Sequence, residues 1–383
     1  MRYIGQHIKA IIEQYRGDVP LAHYLKSYFK QYPILGSRDR KILSAMAYSW
    51  YRCAKGMKSD EWLNGLIAQW LNDHRKFDNF SIAEWVNDHK EEFPFNPDAL
   101  FPFAIELSAG IRKEEWLQSM LMQPNLFIRI RKDKGKVISL LNGAQIPFTF
   151  ITDNCLSLPN GAKIDALLPP DCYVVQDASS QQTADFFMPK KNELWYDCCS
   201  GAGGKSLLLK DLEPGVRLTV SDRRESIIHN LQTRFRQYRH VLPVAHVVDA
   251  ANKEQTDKAL GGKLFDNIIC DAPCSGSGTW ARTPEQLYFF DPATLSSFSS
   301  LQKTIATNVS RYLKPGGRLI YITCSVFKRE NEDVVAPPSL PQGEECPDYQ
   351  ASGIPGLKLI KQQLINGIGN KADNMFIAIL QKV

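Results

Sequence analysis

The sequence predicts a multidomain chain: an α-helical front over 1–125, a small α/β insert over 126–172, and an α/β part on a mostly parallel sheet over 173–383. Three observations predict it. Apolar spacing is helical up to about residue 125, alternates at every second position in the next stretch, and after Pro169-Pro170 falls into short runs separated by helix-length segments. The 383 residues are 44% hydrophobic, 10% aromatic and 23% charged, which excludes collagen, coiled coil and wholesale disorder. That length suits two or three cores. Lys+Arg 46 against Asp+Glu 41 leaves a formal charge of +5, compatible with a polyanionic partner but no proof of one. Nine cysteines without paired CxxC spacing argue against a disulfide scaffold or a structural zinc site, so no metal is expected. No apolar run approaches bilayer length, and the start MRYIGQHIKAIIEQYRG has no signal-peptide core. The expectation is a soluble cytoplasmic protein with no membrane partner.

In the front, Ile4, Ile8, Ile11 and Ile12 share a helix face, followed by Leu25, Tyr28 and Phe29, then Ile42, Leu43, Met46, Tyr48 and Trp50. Trp50, Trp62, Trp70, Trp85 and Trp116 read as core filling rather than a stacking surface. Gly36 precedes Ser37-Arg38-Asp39-Arg40-Lys41, which reads as an N-cap at Ser37 and a solvated first turn in preference to a phosphate-contacting corner. In the insert, Phe127–Arg131 and Phe148–Thr152 alternate like strands around a helical stretch near Val137–Leu141. Arg129, Arg131, Lys132, Lys134 and Lys136 form a basic edge, open equally to a solvated face and to a nucleic-acid surface.

Beyond residue 172, apolar runs at Leu194–Cys199, Val216–Val220, Val244–Val248, Phe265–Cys270, Arg318–Thr323 and Met375–Leu380 read as strands. Such βαβ alternation binds ligands beyond the carboxyl ends of its strands, so functional residues should follow each run. The stretch from Ala336 through Pro337, Pro338 and Pro341 reads as a connecting loop.

The first run leads into Asp197-Cys198-Cys199-Ser200-Gly201-Ala202-Gly203-Gly204-Lys205-Ser206, glycines at a strand-to-helix turn where a ligand can meet the backbone. A P-loop would need glycine where Cys199 stands, and a dinucleotide fingerprint would need it at Ser206. A nucleoside cofactor without phosphates, such as S-adenosylmethionine, remains. Asp222 ends the second run, Asp249 follows the third and Asp271 ends the fourth. This row of carboxylates suits a cationic sulfonium ligand with ribose hydroxyls and an adenine amino group better than a polyphosphate.

Two cysteines follow strands: Cys274 in Asp271-Ala-Pro-Cys-Ser-Gly-Ser-Gly278, and Cys324 in Tyr321-Ile-Thr-Cys-Ser325. A lone cysteine there is usually a small buried hydrophobe. Two at adjacent strand mouths suit nucleophilic chemistry on a pyrimidine, in which a thiolate adds to C6 so that C5 can accept a methyl group. One cysteine would be the nucleophile and the other would assist elimination. Asp271 would stabilise charge at N3 and N4 of the ring, and Lys205 and Arg282 would favour a lowered thiol pKa.

With Arg282 and Pro284, the Asp271–Gly278 motif resembles that of the Sun/Fmu family of RNA cytosine-5 methyltransferases. Further matches, in the family's order, are Val175–Gln181, Gly203-Gly204-Lys205-Ser206, Thr323-Cys324-Ser325 with Glu330-Asn331-Glu332, and Asp373–Ala378. The resemblance implies a Rossmann-like class I methyltransferase domain, an RRM-like subdomain over 126–172, and a NusB-like RNA-binding front, the last similar around Leu35-Gly36-Ser37-Arg38-Asp39-Arg40. It implies Cys324 as nucleophile, Cys274 as the group that assists release, and Asp271 and Lys205 as their catalytic companions. Cys199, Ser200, Gly201, Ala202, Gly203, Gly204 and Lys205 would wrap the methionine part of S-adenosylmethionine, with Asp222 at the ribose, Asp249 at the adenine and Asp271 between cofactor and base.

Ala202 stands where the family has proline, and prolines 337, 338 and 341 interrupt a stretch that is usually helical. Ala202 softens the turn. Arg234-Phe235-Arg236-Gln237-Tyr238-Arg239-His240 interleaves cations with aromatics, as a single-strand binder or as a plain surface helix. The expected activity is methylation of C5 of a looped or flipped-out cytosine, in 16S rRNA, by a monomer. The alternatives are a transfer RNA methyltransferase of the same family, a non-catalytic RNA-binding assembly factor and, more distantly, a nucleotide hydrolase.

Overall fold

Residues 2–72, 80–336 and 352–383 are described in a computed structural model of the chain. Two units result, the first comprising Met1–Ile105, Arg112–Pro124 and Thr279–Pro292. Ile4, Ile8 and Ile11 lie one turn apart on the helix Arg2–Gln14 and are buried. They join Leu21 and Leu25 of Leu21–Gln31 and Leu43, Met46 and Trp50 of Ser37–Cys53 in one apolar cluster. Trp50 stacks on Trp62 with ring centroids 5.4 Å apart, and Trp70, Trp85 and Trp116 are buried too. The third helix starts one residue earlier than expected. Gly36 takes the cap position and its N–H donates to the Asp39 carboxylate at 3.1 Å, which leaves Ser37 as the first helical residue.

The segment Thr279–Pro292, which the sequence boundaries place in the α/β part, belongs to this helical unit. Its apolar side chains decide that. Trp280 and Leu287 are buried, Trp280 lies 5.8 Å from Trp116 between centroids, and the Leu21 N–H donates to Glu285 Oε1 at 3.1 Å.

The second unit comprises Glu106–Ile111, Asn125–Gly278 and Ala293–Val383. A small antiparallel sheet of β1 (Leu126–Ile130), β2 (Thr149–Thr152), β3 (Cys155–Leu158) and β4 (Tyr173–Val175) has the order β2-β3-β1-β4. No alternation announces β3, which is buried at every position, or β4, which is three residues long. The helix Lys134–Gly143 connects β1 to β2.

Two of the five residues of the expected basic edge turn inward. Arg129 Nη1 lies 2.6 Å from Asp211 Oδ2, Arg131 makes a two-pronged contact with the same carboxylate, and His240 Nε2 approaches it at 2.7 Å. Burial opposes ionisation of Asp211, but these partners outweigh it and hold its pKa well below the carboxylate norm. Lys132 pairs with Asp171 at 2.6 Å, and Lys134 and Lys136 remain exposed.

The larger sheet contains β5 (Leu194–Asp197), β6 (Arg217–Asp222), β7 (Val244–Val247), β8 (Phe265–Asp271), β9 (Leu313–Thr323), β10 (Leu357–Ile365) and β11 (Met375–Lys382). Its order is β10-β11-β9-β8-β5-β6-β7, parallel from β9 to β7 and antiparallel at β11 and β10. Near-continuous burial of β8 and of Leu319–Thr323 in β9 matches a parallel strand covered on both faces. β10 is a strand the sequence does not announce, because Lys361, Gln362 and Gln363 at its centre face solvent on a sheet edge. The winding reverses between β5 and β8, which opens a crevice beyond their carboxyl ends. No helix among the described residues is long and apolar enough to cross a membrane. The prolines 337, 338 and 341 lie outside the described residues.

Candidate active site

β5 ends at Asp197, and the chain turns through Cys198–Gly203 into the helix Gly204–Leu212. Gly201 and Gly203 have φ of 51° and 82°, backbone that disfavours side chains. A Cβ on Gly203 would also come within 2.9 Å of Leu231 Cγ. The turn is tied through both backbone and side-chain groups: the Ser200 N–H donates to Ser221 O at 2.9 Å, the Gly203 N–H to Ser200 O at 2.9 Å, and the Ser221 hydroxyl to Cys198 O at 3.0 Å. Arg234 Nη1 adds a bond to Ala202 O at 2.6 Å. The basic-aromatic run therefore buttresses the turn instead of forming a stacking surface: Phe235 and Tyr238 are buried, and Arg131 covers the Tyr238 ring at 4.7 Å.

Lys205 does not reach towards the turn as a P-loop lysine would. It is buried, 3.0 Å from Asp271 Oδ2. Burial works against its charge, but Asp271, Cys324 and Asp197 more than compensate and raise its pKa. This removes the feature that favoured nucleotide hydrolysis. Asp222 is buried at the end of β6 and accepts from the Arg224 N–H and Nε, both at 3.0 Å. Asp249 sits in the turn after β7, where its Oδ1 accepts from the Ala251 N–H at 2.9 Å.

Asp197 is a residue to which the sequence reading gave no role. It is fully buried, and one oxygen accepts from Ser206 Oγ at 2.6 Å. The other oxygen has no hydrogen bond among the described residues; the Cys199 N–H bears on the group without making one. Burial, reinforced by Asp271 and offset in part by Ser206 and Lys205, pushes its pKa up to about 7.

The two strand-end cysteines meet. Cys274 Sγ lies 3.3 Å from Cys324 Sγ, and both side chains are half-buried. The expected lowering of a thiol pKa does not hold for Cys274. Its hydrogen bond with Cys324, followed by burial and the charges of Cys324 and Glu330, drives that pKa well above the thiol norm. Cys198 and Cys270 are buried in the apolar core, as small hydrophobes. Arg282 lies in the first unit.

The cysteine loops are held by residues the sequence showed only as parts of motifs. Asn331 Nδ2 donates to Ser325 O at 2.8 Å, the Val326 N–H donates to Ser277 Oγ at 2.9 Å, and the Gly278 N–H donates to Cys324 O at 2.8 Å. A Cβ on Gly278 would come within 2.2 Å of Asn374 O, which explains the glycine. Asp177, from another matched motif, caps the helix Ala178–Gln182 and accepts from the Asp373 N–H at 3.1 Å. Buried polar networks leave no periodic trace, so only the recurrence of Ser after each Cys could have pointed to them. No metal-binding cluster of His, Cys, Asp and Glu occurs among the described residues.

The family described as 16S rRNA methyltransferase RsmB/F matches residues 184–381, just over half of the chain. The ribosomal RNA small subunit methyltransferase B of Shewanella oneidensis is 35% identical over 229 residues, 58% of this chain and 53% of that protein. Its counterpart from Proteus mirabilis is 30% identical over 182 residues, 47% and 42% of the two chains. The matched part thus spans about half the length of these curated relatives. The crystal structure of PH0851 covers 95% of both chains with a TM-score of 0.67 at 18% identity. NSun6 from Pyrococcus horikoshii, solved with SFG, covers 70% of this chain and 94% of its own with a TM-score of 0.57 at 14% identity. At these identities the solved structures share the fold.

Proposed function

The chain belongs to the RsmB/F family of 16S rRNA methyltransferases, and from that premise we propose that it methylates C5 of a cytosine in RNA. The favoured substrate is 16S rRNA, the methyl donor S-adenosylmethionine, and the residue that bonds to C6 Cys324. One observation carries the reading: two half-buried sulfurs 3.3 Å apart, with buried Lys205 paired to half-buried Asp271 at the same end of the sheet.

The turn after β5 fits such a donor. Gly201 and Gly203 hold left-handed backbone, a Cβ on Gly201 or Gly204 would meet nothing within 4 Å, and carboxylates end the neighbouring strands. Cys199 to Lys205 would line the methionine part, Asp222 would accept from ribose hydroxyls, Asp249 from the adenine amino group, and Asp271 would lie between donor and base. When bound, S-adenosylmethionine supplies a methyl group on positively charged sulfur.

Cytosine C5 is a weak nucleophile until a thiolate adds at C6. The Cys324 sulfur gives its electron pair to C6, while Asp271, steadied by Lys205, stabilises the charge that develops at N3 and N4. Once C5 carries the new methyl group, its proton passes to solvent as the C5–C6 double bond re-forms and the Cys324 sulfur is expelled. Cys274 keeps its thiol proton and stands within reach to pass it to that departing sulfur. A base stacked inside a duplex does not fit an enclosed site, so the target is looped or flipped out. RNA contact falls to the NusB-like front over 1–125 and to the outward Lys132, Lys134 and Lys136 of the RRM-like insert. Action as a metal-free monomer in the cytoplasm is part of the same proposal.

The test is to incubate the purified protein with 16S rRNA and S-adenosylmethionine and to map 5-methylcytosine by bisulfite sequencing. Wild type marks a discrete cytosine, and Cys324→Ala loses about 10⁴-fold or more in rate. Undiminished C5 methylation by Cys324→Ala would refute the mechanism.

A further inference from the structure

Each of the paired cysteines is followed by a serine, and both serines bond to one carboxylate. Glu330 is fully buried. Its Oε2 accepts from Ser275 Oγ and from Ser325 Oγ, each at 2.5 Å. Its Oε1 accepts from the Ser275 N–H at 2.8 Å and from Gln302 Nε2 at 3.2 Å. Four donors on two oxygens satisfy a carboxylate without a cation. Gln302 also donates to Pro273 O at 2.9 Å, and the Tyr321 hydroxyl donates to Glu330 O at 2.6 Å, which fixes the backbone on both sides of the clamp.

We propose that Glu330 is a positioning residue for the cytosine-5 reaction: through Ser275 and Ser325 it sets the spacing at which the Cys274 thiol meets the Cys324 sulfur. This rests on the function proposed above. In that chemistry Glu330 touches neither base nor donor. It acts by joining the loop after β8 to the loop after β9. A hand-over between two sulfurs is steep in distance, and a displacement of about 1 Å costs roughly 10²-fold.

The experiment uses the full chain and measures sulfur spacing apart from activity. Diamide takes two hydrogens from the Cys274 and Cys324 thiols as a sulfur–sulfur bond forms, and is itself reduced to the hydrazine. The 274–324 crosslinked peptide is followed by mass spectrometry of an unreduced digest. In Glu330→Gln the crosslink forms about tenfold more slowly or worse, and kcat for RNA methylation falls by roughly 10²-fold, with S-adenosylmethionine affinity unchanged. The double variant Ser275→Ala, Ser325→Ala moves both readouts the same way, and it decides alone if Glu330→Gln does not give a cooperative melting curve. Wild-type crosslinking rates in the folded variants would overturn the proposal. If the wild type neither binds S-adenosylmethionine nor methylates RNA, the proposed function fails, while the crosslinking rates still report on the clamp.

Discussion

The glycine turn after β5 and the cysteine loops after β8 and β9 end neighbouring strands of one sheet, yet they are secured differently. The turn combines main-chain bonds such as Ser200 to Ser221 and Gly203 to Ser200 with the Ser221 hydroxyl on Cys198 O and the Arg234 guanidinium as an outside brace on Ala202. The cysteine loops rely more on side chains: Glu330 reaches across to Ser275, and Ser277 reaches across to Ser325 and Val326, while Asn331 holds Ser325 within its own loop. Their buried carboxylates differ in the same sense. Glu330 meets a full set of donors, whereas Asp197 keeps one oxygen unbonded among the described residues. A turn that a ligand approaches by its backbone has little room for side chains. Two sulfurs that must meet at one spacing depend on them.

The widest separation of the two regions comes from Cys274→Ala. Release of the modified base fails, so turnover drops by about 10²-fold or more while a covalent protein–RNA complex accumulates on a denaturing gel. Binding of S-adenosylmethionine stays at the wild-type level by calorimetry, and a large change there would break the contrast. Gly203→Ala has the opposite signature. The left-handed φ and the 2.9 Å approach to Leu231 cost about 1–3 kcal/mol in the turn. The Kd for S-adenosylmethionine then rises roughly tenfold, with the 274–324 crosslinking rate untouched.

A smaller effect sharpens the carboxylate comparison. The folded chain keeps a proton on Asp197 up to about pH 7, and the unfolded chain loses it near 3.8. Stability therefore falls as pH rises through that window, because the folded state binds more protons there. Asp197→Asn flattens this part of a Tm-against-pH curve. A wild-type curve with no such slope would show that Asp197 ionises in the folded state as it does in the unfolded chain.

Much of this site is legible in one dimension because it depends on short motifs at strand ends. β5, β6, β8, β9 and β11 are visible as apolar runs, and Gly203, Asp271, Cys274 and Cys324 follow such runs directly. What escaped depends on a distant partner. Arg129 and Arg131 looked like a solvent-facing charge run until Asp211 stood beside them, and the run holding Phe235 and Tyr238 was open to a stacking surface or a plain surface helix until both rings packed inward. A periodicity can say which face a residue shares, but not what faces it. The departure at Ala202 has a visible counterpart in the brace from Arg234, which holds the main chain where the family has a proline ring.

Thr279–Pro292 follows Gly278 directly, just past Cys274, but its aromatic content is housed by the helical unit. A shortened gene that kept only the α/β half would strip Trp280 and Leu287 of their shelter and present them to water. Contiguous apolar surface of that kind invites aggregation. Trimming the front, or grafting a foreign one, therefore requires rewriting this strip as well.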